Sequence, residues 1–316
     1  MSLVPTAAIV AAARADGRGA AAFNVIQIEH AEAIVAGALR AGAPVILQVS
    51  ENTVRYHDAL GPIVAAAHAL AESAGVPVAL HLDHATDREL VDEAVELGVG
   101  SVMYDASSRG YDENVRTTAD VVGRCHRRGV WVEAELGEID GKDGVHAPGA
   151  RTDPVAAAAY VAATGVDALA VAVGTSHAML TRDAALDFPL IAALRAALTV
   201  PLVLHGSSGV SDADLTAAVT AGMTKINIAT QLNKVFTAAV RERLAADPAL
   251  VDTRRYLGAG RAAVTAEVHR LLEVLLVTGD ATTASTAADR PTPPAPPAPP
   301  APPVTSTSSS QEGSTS

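Results

Sequence analysis

Eight short apolar runs recur along the first 230 residues, and they constrain the chain more than any other feature. They are 20-AAAFNV-25, 44-PVILQVS-50, 77-PVALHLDH-84, 101-SVMYDA-106, 131-WVEAELG-137, 168-ALAVAVG-174, 201-PLVLHG-206 and 225-KINIAT-230. Their starts lie 24 to 37 residues apart, which leaves room for a loop, an Ala-rich helix and a second loop between successive runs. Near-continuous apolar runs suit strands of a parallel sheet covered on both faces. Helix starts fall in the gaps: Asp153-Pro154 as cap and first-turn proline, Thr86-x-x-Glu89 and Ser211-x-x-Asp214 as capping boxes. Eight strands alternating with helices over about 260 residues are the content of an α/β fold of the (β/α)8 TIM-barrel type, here with an extra N-terminal helix in VPTAAIVAAARADG. The alternative, a doubly wound open sheet, would carry a glycine-rich turn after its first strand, and 24-NVIQIEH-30 has none.

The barrel is expected to occupy residues 1–277. From 278 to 316 the composition turns to PTPPAPPAPPAPP followed by Ser and Thr. Such a segment has too little apolar surface to bury and reads as a disordered, polyproline-like tail. A formal charge of −12 argues against nucleic acid or an anionic membrane as partner, since either needs a basic face. A single cysteine, Cys125, leaves no intrachain disulfide and fits a reducing cytoplasm. The N-terminus has no basic stretch ahead of an apolar core, and no apolar run reaches spanning length. A soluble cytoplasmic protein is expected.

The ends of the runs carry the chemistry. In barrels the loops at the carboxyl ends of the strands bind ligands. Runs three, six and seven each deliver a histidine there: His84, His177 and His205. Three imidazoles on one rim, without an obvious fourth ligand, have the make-up of a catalytic zinc site with an open position; each taken alone could instead be a packed residue or a substrate hydrogen bond. Asp83, Asp105, Glu133 and Glu135 reach the same rim and would supply coupled carboxylates for proton transfer, or, for Glu133 and Glu135, orient a ligand histidine. His81 shares the face of Asp83 and reads as a packed or supporting group. Simple alternation sends Asp83 and His84 to opposite sides, so both reach the site only if His84 lies past the last pleated residue. After runs seven and eight, Gly206-Ser207-Ser208-Gly209 and Asn227-Ile228-Ala229-Thr230 stand where barrels usually cradle phosphate.

At this point the residues resemble the class II, metal-dependent ketose-bisphosphate aldolases, which include the fructose- and tagatose-bisphosphate enzymes. The matching stretches are AFNV, PVILQVS, PVALHLDH, SVMYDAS with DEN, VEAELG, GTSHAM, LHGSSGV and TKINIAT, in order over about residues 4 to 277. The resemblance implies a zinc enzyme that reversibly cleaves a ketose 1,6-bisphosphate, fructose 1,6-bisphosphate first among them, into dihydroxyacetone phosphate and an aldehyde such as glyceraldehyde 3-phosphate, in glycolysis or a related sugar route. It implies zinc on His84, His177 and His205, with Asp105 and Glu135 available for a second metal placement. Asp83 would serve the aldehyde oxygen as acid and base. Asn24, Ser50, Gly174, Gly206, Ser208, Asn227, Ala229 and Thr230 would contact the substrate. A homodimer or homotetramer is the expected assembly.

The chain departs from that pattern in four places. Ala178 follows the second zinc histidine where members usually have glycine. The loop 136-LGEIDGKDGVHAPG-149 has Lys142-Asp143 where members carry a proton-abstracting glutamate, so Asp143 is the expected base and Glu138 the alternative. Ala229 stands where fructose-type enzymes often have aspartate and tagatose-type ones alanine. The arginine used for the far phosphate has no match, Arg261 being the nearest. An aldolase for tagatose 1,6-bisphosphate or a mono-phosphorylated ketose, and a non-catalytic metal-binding barrel, are the competing readings. The lysines, Lys142, Lys225 and Lys234, are expected away from the middle and exit end of any strand, which disfavours a Schiff-base mechanism.

Overall fold

The computed structural model describes residues 2–136, 151–175 and 181–277. Eight parallel strands close into a barrel in sequence order: β1 (Ala20–Asn24), β2 (Val45–Ser50), β3 (Val78–Ala85), β4 (Ser101–Tyr104), β5 (Trp131–Glu135), β6 (Ala168–Ala170), β7 (Leu202–Leu204) and β8 (Met223–Ile228). The expected barrel is therefore the observed one. Eleven α-helices accompany the strands among the described residues: α1 (Thr6–Asp16), α2 (Ile28–Ala41), α3 (Glu51–His57), α4 (Gly61–Ser73), α5 (Arg88–Glu96), α6 (Tyr111–His126), α7 (Pro154–Thr164), α8 (Phe188–Ala197), α9 (Asp212–Ala221), α10 (Thr230–Ala246) and α11 (Thr253–Leu276). None of the described helices is long and apolar enough to cross a membrane.

The strands sort their side chains by alternation. Outward-facing Phe23, Val45, Leu47, Leu80, Leu82, Val102, Val132 and Leu169 join the helices in the large aliphatic core. Inward-facing positions are small at the bottom, where Ala20, Ala22, Ile46 and Ala79 receive Ile9 and Val10 of α1. The extra helix thus plugs the barrel floor. Higher up, the interior holds Gln48, His81, Ser101, Glu133 and Lys225, all buried. Branched aliphatic layers usually fill such barrels, so a polar layer here needs a reason, which the site above it supplies.

Two local expectations are corrected. Thr86 does not cap α5. Asp87 does, accepting from the Glu89 backbone N–H, because Thr86 gives both its N–H and its hydroxyl to the buried carboxylate of Glu51. Lys225 does not lie at the leading edge of its strand: β8 begins at Met223, and one extra residue in the β7–β8 pairing between Met223 and Lys225 brings Lys225 into mid-barrel. The caps at Asp153 and Ser211 form as expected, each side chain accepting a first-turn N–H.

Candidate active site

The mouth of the barrel is organised by a distortion in β3. Pairing with β4 runs His81 to Ser101 and Leu82 to Val102, then resumes at Ala85 with Tyr104. Three steps on β3 thus oppose two on β4, a β-bulge. His84 absorbs it with φ +52°, a left-handed conformation uncommon for a non-glycine residue and frequent where function demands it. The bulge turns Asp83 and His84 onto one face, although the strand continues through Ala85.

His84 donates from Nδ1 to Asp105 Oδ2 at 2.9 Å. Its other nitrogen, Nε2, meets His205 Nδ1 at 2.9 Å. His205 in turn directs Nε2 to Glu133 Oε1, also at 2.9 Å. With each outer nitrogen donating to a carboxylate, both facing nitrogens carry lone pairs, and two acceptors at that distance require a cation between them. A proton on His84 Nε2, donated to His205 Nδ1, meets that need. Burial disfavours the charged imidazole, but Asp83, the bond to Asp105, and Glu135 outweigh it and push the His84 pKa up to about 10.

Asp83 completes this group: an oxygen of Asp83 and ring nitrogens of His84 and His205 lie within 4.8 Å of one another. Asp83 accepts from Asn24 Nδ2 at 3.0 Å and from Asn227 Nδ2 at 3.4 Å, while Gln48 Nε2 bonds Asn24 Oδ1 at 2.6 Å. Burial raises the Asp83 pKa, yet the charges at His84, His205 and Lys225 and the Asn24 bond hold it below the usual carboxylate value. Asp83 is therefore an ionised acceptor. His84, Asp105 and Glu135 form a second cluster with ligand atoms within 4.8 Å. Burial and then Asp105 push Glu135 well above the ordinary range, and Asn114 of α6 fixes its strand by donating to the Glu135 carbonyl at 3.1 Å. The donor set of two imidazoles and adjacent carboxylates, each imidazole backed by its own carboxylate, fits a divalent metal.

The loop after β7 and the start of α10 lie beside it. Gly206, at φ +68°, leads into a single 3-10 turn at Ser207–Gly209. Ser207 Oγ donates to the Asn227 carbonyl at 2.5 Å, and Ser208 Oγ accepts from Gln231 N at 3.1 Å. That turn thus abuts the N-terminus of α10, whose N-cap, Ala229, makes no side-chain cap hydrogen bond. Gly174 lies beyond β6 at φ +113°, and a Cβ there would sit 2.2 Å from the Ala185 carbonyl oxygen; only glycine fits. Its neighbour Thr175 donates to the His205 carbonyl at 2.7 Å. Ser50 caps α3 through Thr53 N, a task already occupying one lone pair.

Of the residues expected at the site, the structure brings together Asn24, Asp83, His84, Asp105, Glu133, Glu135, His205 and Asn227. His177, Ala178, Lys142, Asp143 and Glu138 lie outside the described residues, as does the tail from 278. Arg261 is engaged elsewhere, in an exposed ion pair with Glu32 at 2.5 Å. Gln48 and Lys225 are the residues that sequence reasoning passed over. Period-two spacing of Lys225 with Asn227 was the available signal.

Set beside known proteins, the chain matches the family described as Fructose-bisphosphate aldolase class-II over residues 4–280. A fructose-bisphosphate aldolase of Geobacillus stearothermophilus is 41% identical over 250 residues, 78% of this chain and 87% of that protein. The crystal structure of the YdjI aldolase from Escherichia coli K12 agrees with a TM-score of 0.75 at 32% identity, covering 86% of this chain and 97% of that one. The fructose-bisphosphate aldolase of Campylobacter jejuni, at 24% identity, shares the fold with a TM-score of 0.73 over 87% of this chain and 95% of its own.

Proposed function

The chain belongs to the class II fructose-bisphosphate aldolase family and is an aldolase-type lyase, and from that premise we propose that it cleaves a ketose 1,6-bisphosphate, fructose 1,6-bisphosphate in the first instance, with zinc as its metal. The observation that carries this reading is the pair of facing ring nitrogens of His84 and His205, 2.9 Å apart, beside an ionised Asp83. Those two nitrogens would hold the metal, with His177 as the third ligand expected from the sequence. Bound there, a divalent ion supplies Lewis-acid polarisation of the ketose carbonyl.

The residues divide the remaining work. In cleavage, the C3–C4 bond breaks and the hydroxyl on C4 must lose its proton as it becomes the aldehyde. Asp83 takes that proton, held in place for it by two amide donors, Asn24 and Asn227. The electron pair left on the C3 side is then protonated by an acid from the loop after β5, a role we assign to Asp143 with Glu138 as alternative. In condensation the same groups run in reverse. Gly206, Ser208 and the backbone at Ala229–Thr230 would grip the phosphate of dihydroxyacetone phosphate, where the unpaired N–H groups of a helix start favour an anion. Asn24 holds Asp83, while Ser50 and Gly174 shape the mouth around the substrate.

A tagatose-type or mono-phosphorylated substrate is the second reading, favoured by Ala229 at a position where fructose-type enzymes often carry aspartate. The deciding experiment follows cleavage of fructose 1,6-bisphosphate and tagatose 1,6-bisphosphate, together with exchange of the C3 proton of dihydroxyacetone phosphate with solvent. Absence of both turnover and exchange in zinc-loaded protein would refute the assignment. Loss of exchange in Asp143→Ala supports that residue as the loop base; unchanged exchange moves the role to Glu138.

A further inference from the structure

Among the described residues the polar layer inside the barrel has one lysine, and it contacts two groups that lie on either side of His205. Lys225 is fully buried, as is Glu133. Its Nζ lies 2.8 Å from Glu133 Oε2 and donates to Asn227 Oδ1 at 2.8 Å. The other oxygen of Glu133 is the one that receives His205 Nε2. His81 approaches Glu133 Oε2 no closer than 3.8 Å and is itself held through Nδ1 by Ser101 Oγ at 2.8 Å, so it does not replace the lysine.

We infer that Lys225 is a positioning residue that sets both the metal-binding tautomer of His205 and the orientation of the Asn227 amide. An amide can be seated in two ways. With Oδ1 on the ammonium, the NH2 group is turned to Asp83 Oδ1 at 3.4 Å and lies beside the His205 ring. Flipped, it would set an oxygen against the Asp83 carboxylate, which is repulsive. The same ammonium lies 2.8 Å from Glu133 Oε2, leaving Oε1 to receive the N–H of His205 Nε2 and so to turn Nδ1 towards the metal position. A buried ion pair is weak evidence of stability in itself, because well-packed apolar residues often replace one at no cost. Its retention under the site points to orientation. The inference rests on the proposed aldolase reading for its kinetic consequence, but not for its consequence for metal binding.

The test compares wild type with Lys225→Met/Glu133→Gln, in which the buried charges are removed together and the glutamine oxygen can still accept from His205 Nε2. Lys225→Met alone leaves Glu133 as a lone buried charge and is read only if it folds. Zinc affinity is measured by chelator competition and coordination by the visible absorption of the Co(II)-loaded protein. Removing an outer-shell partner typically costs 10- to 100-fold, so we expect zinc affinity weaker by about tenfold or more and a shifted Co(II) spectrum in the double variant. With zinc saturating, kcat should fall by roughly 10- to 100-fold with KM nearly unchanged. Adding Asn227→Ala to the double variant should cost about threefold or less, although it costs tenfold or more in wild type, because the two changes remove one unit. A double variant that is less stable yet keeps wild-type zinc affinity, Co(II) spectrum and kcat would overturn the inference. If wild type cleaves no ketose bisphosphate, the aldolase reading fails, and the zinc affinity and Co(II) spectrum still decide for or against Lys225.

Discussion

His84 and His205 face each other through Nε2 and Nδ1 at 2.9 Å, and each has its remaining nitrogen turned to a different carboxylate, Asp105 and Glu133. Neither ring can relieve the contact by changing tautomer without losing a charge-assisted hydrogen bond. The arrangement therefore calls for a positive charge at the two facing nitrogens, carried by a proton or by a metal.

The first prediction concerns that charge. Chelation should abolish aldol turnover, and zinc should restore it. A ligand at about 100 times its dissociation constant adds roughly 2.7 kcal/mol to folding stability, which for a domain of this size raises the melting temperature by about 5 °C. His177→Ala should weaken zinc binding, since the sequence assigns the third ligand there. Full activity in chelated protein, with no thermal shift on adding zinc, would remove the metal from the account.

Asp83 should matter for rate more than for the metal. Two amide donors and nearby cations hold it ionised, which equips it to take a hydroxyl proton. Replacement by alanine is expected to lower kcat by about 10²- to 10⁴-fold while one zinc per chain remains bound. The check is metal analysis of the purified variant beside its kinetics. Zinc lost together with activity would make Asp83 a ligand, as its membership of the Asp83–His84–His205 cluster permits.

A pH dependence of stability follows from a second network, joined to Ser208 through Gln231. Arg270 pairs with Glu267 at 2.7 Å and Asp212 at 2.5 Å, and Arg182 also reaches Asp212 at 2.5 Å. For Glu267, burial raises the pKa, but the bonds from Arg270 and Gln231 outweigh it and leave it below its ordinary 4.5. Asp212 is likewise lowered: burial acts upward and the Arg182 and Arg270 contacts act downward more strongly. A carboxyl depressed in the folded state contributes stability above its unfolded pKa and loses it as pH falls through the folded one. Arg270→Met should therefore cost about 1–2 kcal/mol near neutral pH, allowing for the solvent screening of half-exposed pairs. The difference from wild type should shrink as the pH drops below about 4. Denaturant midpoints at several pH values measure it, and a gap that stays constant into acid would show that the arginine acts by packing alone.

The barrel was legible because it rests on repetition: eight apolar runs at helix-sized intervals leave few alternatives, and a histidine at the end of such a run can only point to one rim. What escaped the sequence depended on partners far along the chain. Thr86-x-x-Glu89 has the form of a capping box, yet Glu51, 35 residues earlier, takes the Thr86 N–H and hydroxyl, and Asp87 becomes the cap by default. Alternation placed Asp83 and His84 on opposite faces, and the bulge that reconciles them lies in pairing with β4, which no property of HLDH alone reveals. The extra residue in β8 hid Lys225 in the same way. In each case local pattern gave the element, and cross-strand or cross-loop contact decided the orientation of the side chain.

The last prediction concerns the two ends of the substrate, which the chain treats unequally. For one end the proposed grip is Gly206 in its left-handed turn, Ser208 against Gln231 N, and the start of α10 beside them. For the other end the sequence offers Arg261 as the nearest arginine, and Glu32 already holds it in an exposed pair. Ala229 adds no polar atom. A phosphate that lacks a cationic partner forgoes charge-assisted hydrogen bonds worth roughly 1.5–3 kcal/mol each. One such bond absent leaves discrimination for the distal phosphate weaker by about one to two orders of magnitude. Dihydroxyacetone phosphate is thus expected as the required donor, with looser selection of the aldehyde. The ratio of kcat/KM for fructose 1,6-bisphosphate over fructose 1-phosphate measures this, and Arg261→Ala should leave it unchanged. A ratio above roughly a thousand would mean about 4 kcal/mol of transition-state binding at the distal phosphate; a collapse of that ratio in Arg261→Ala would identify Arg261 as its source.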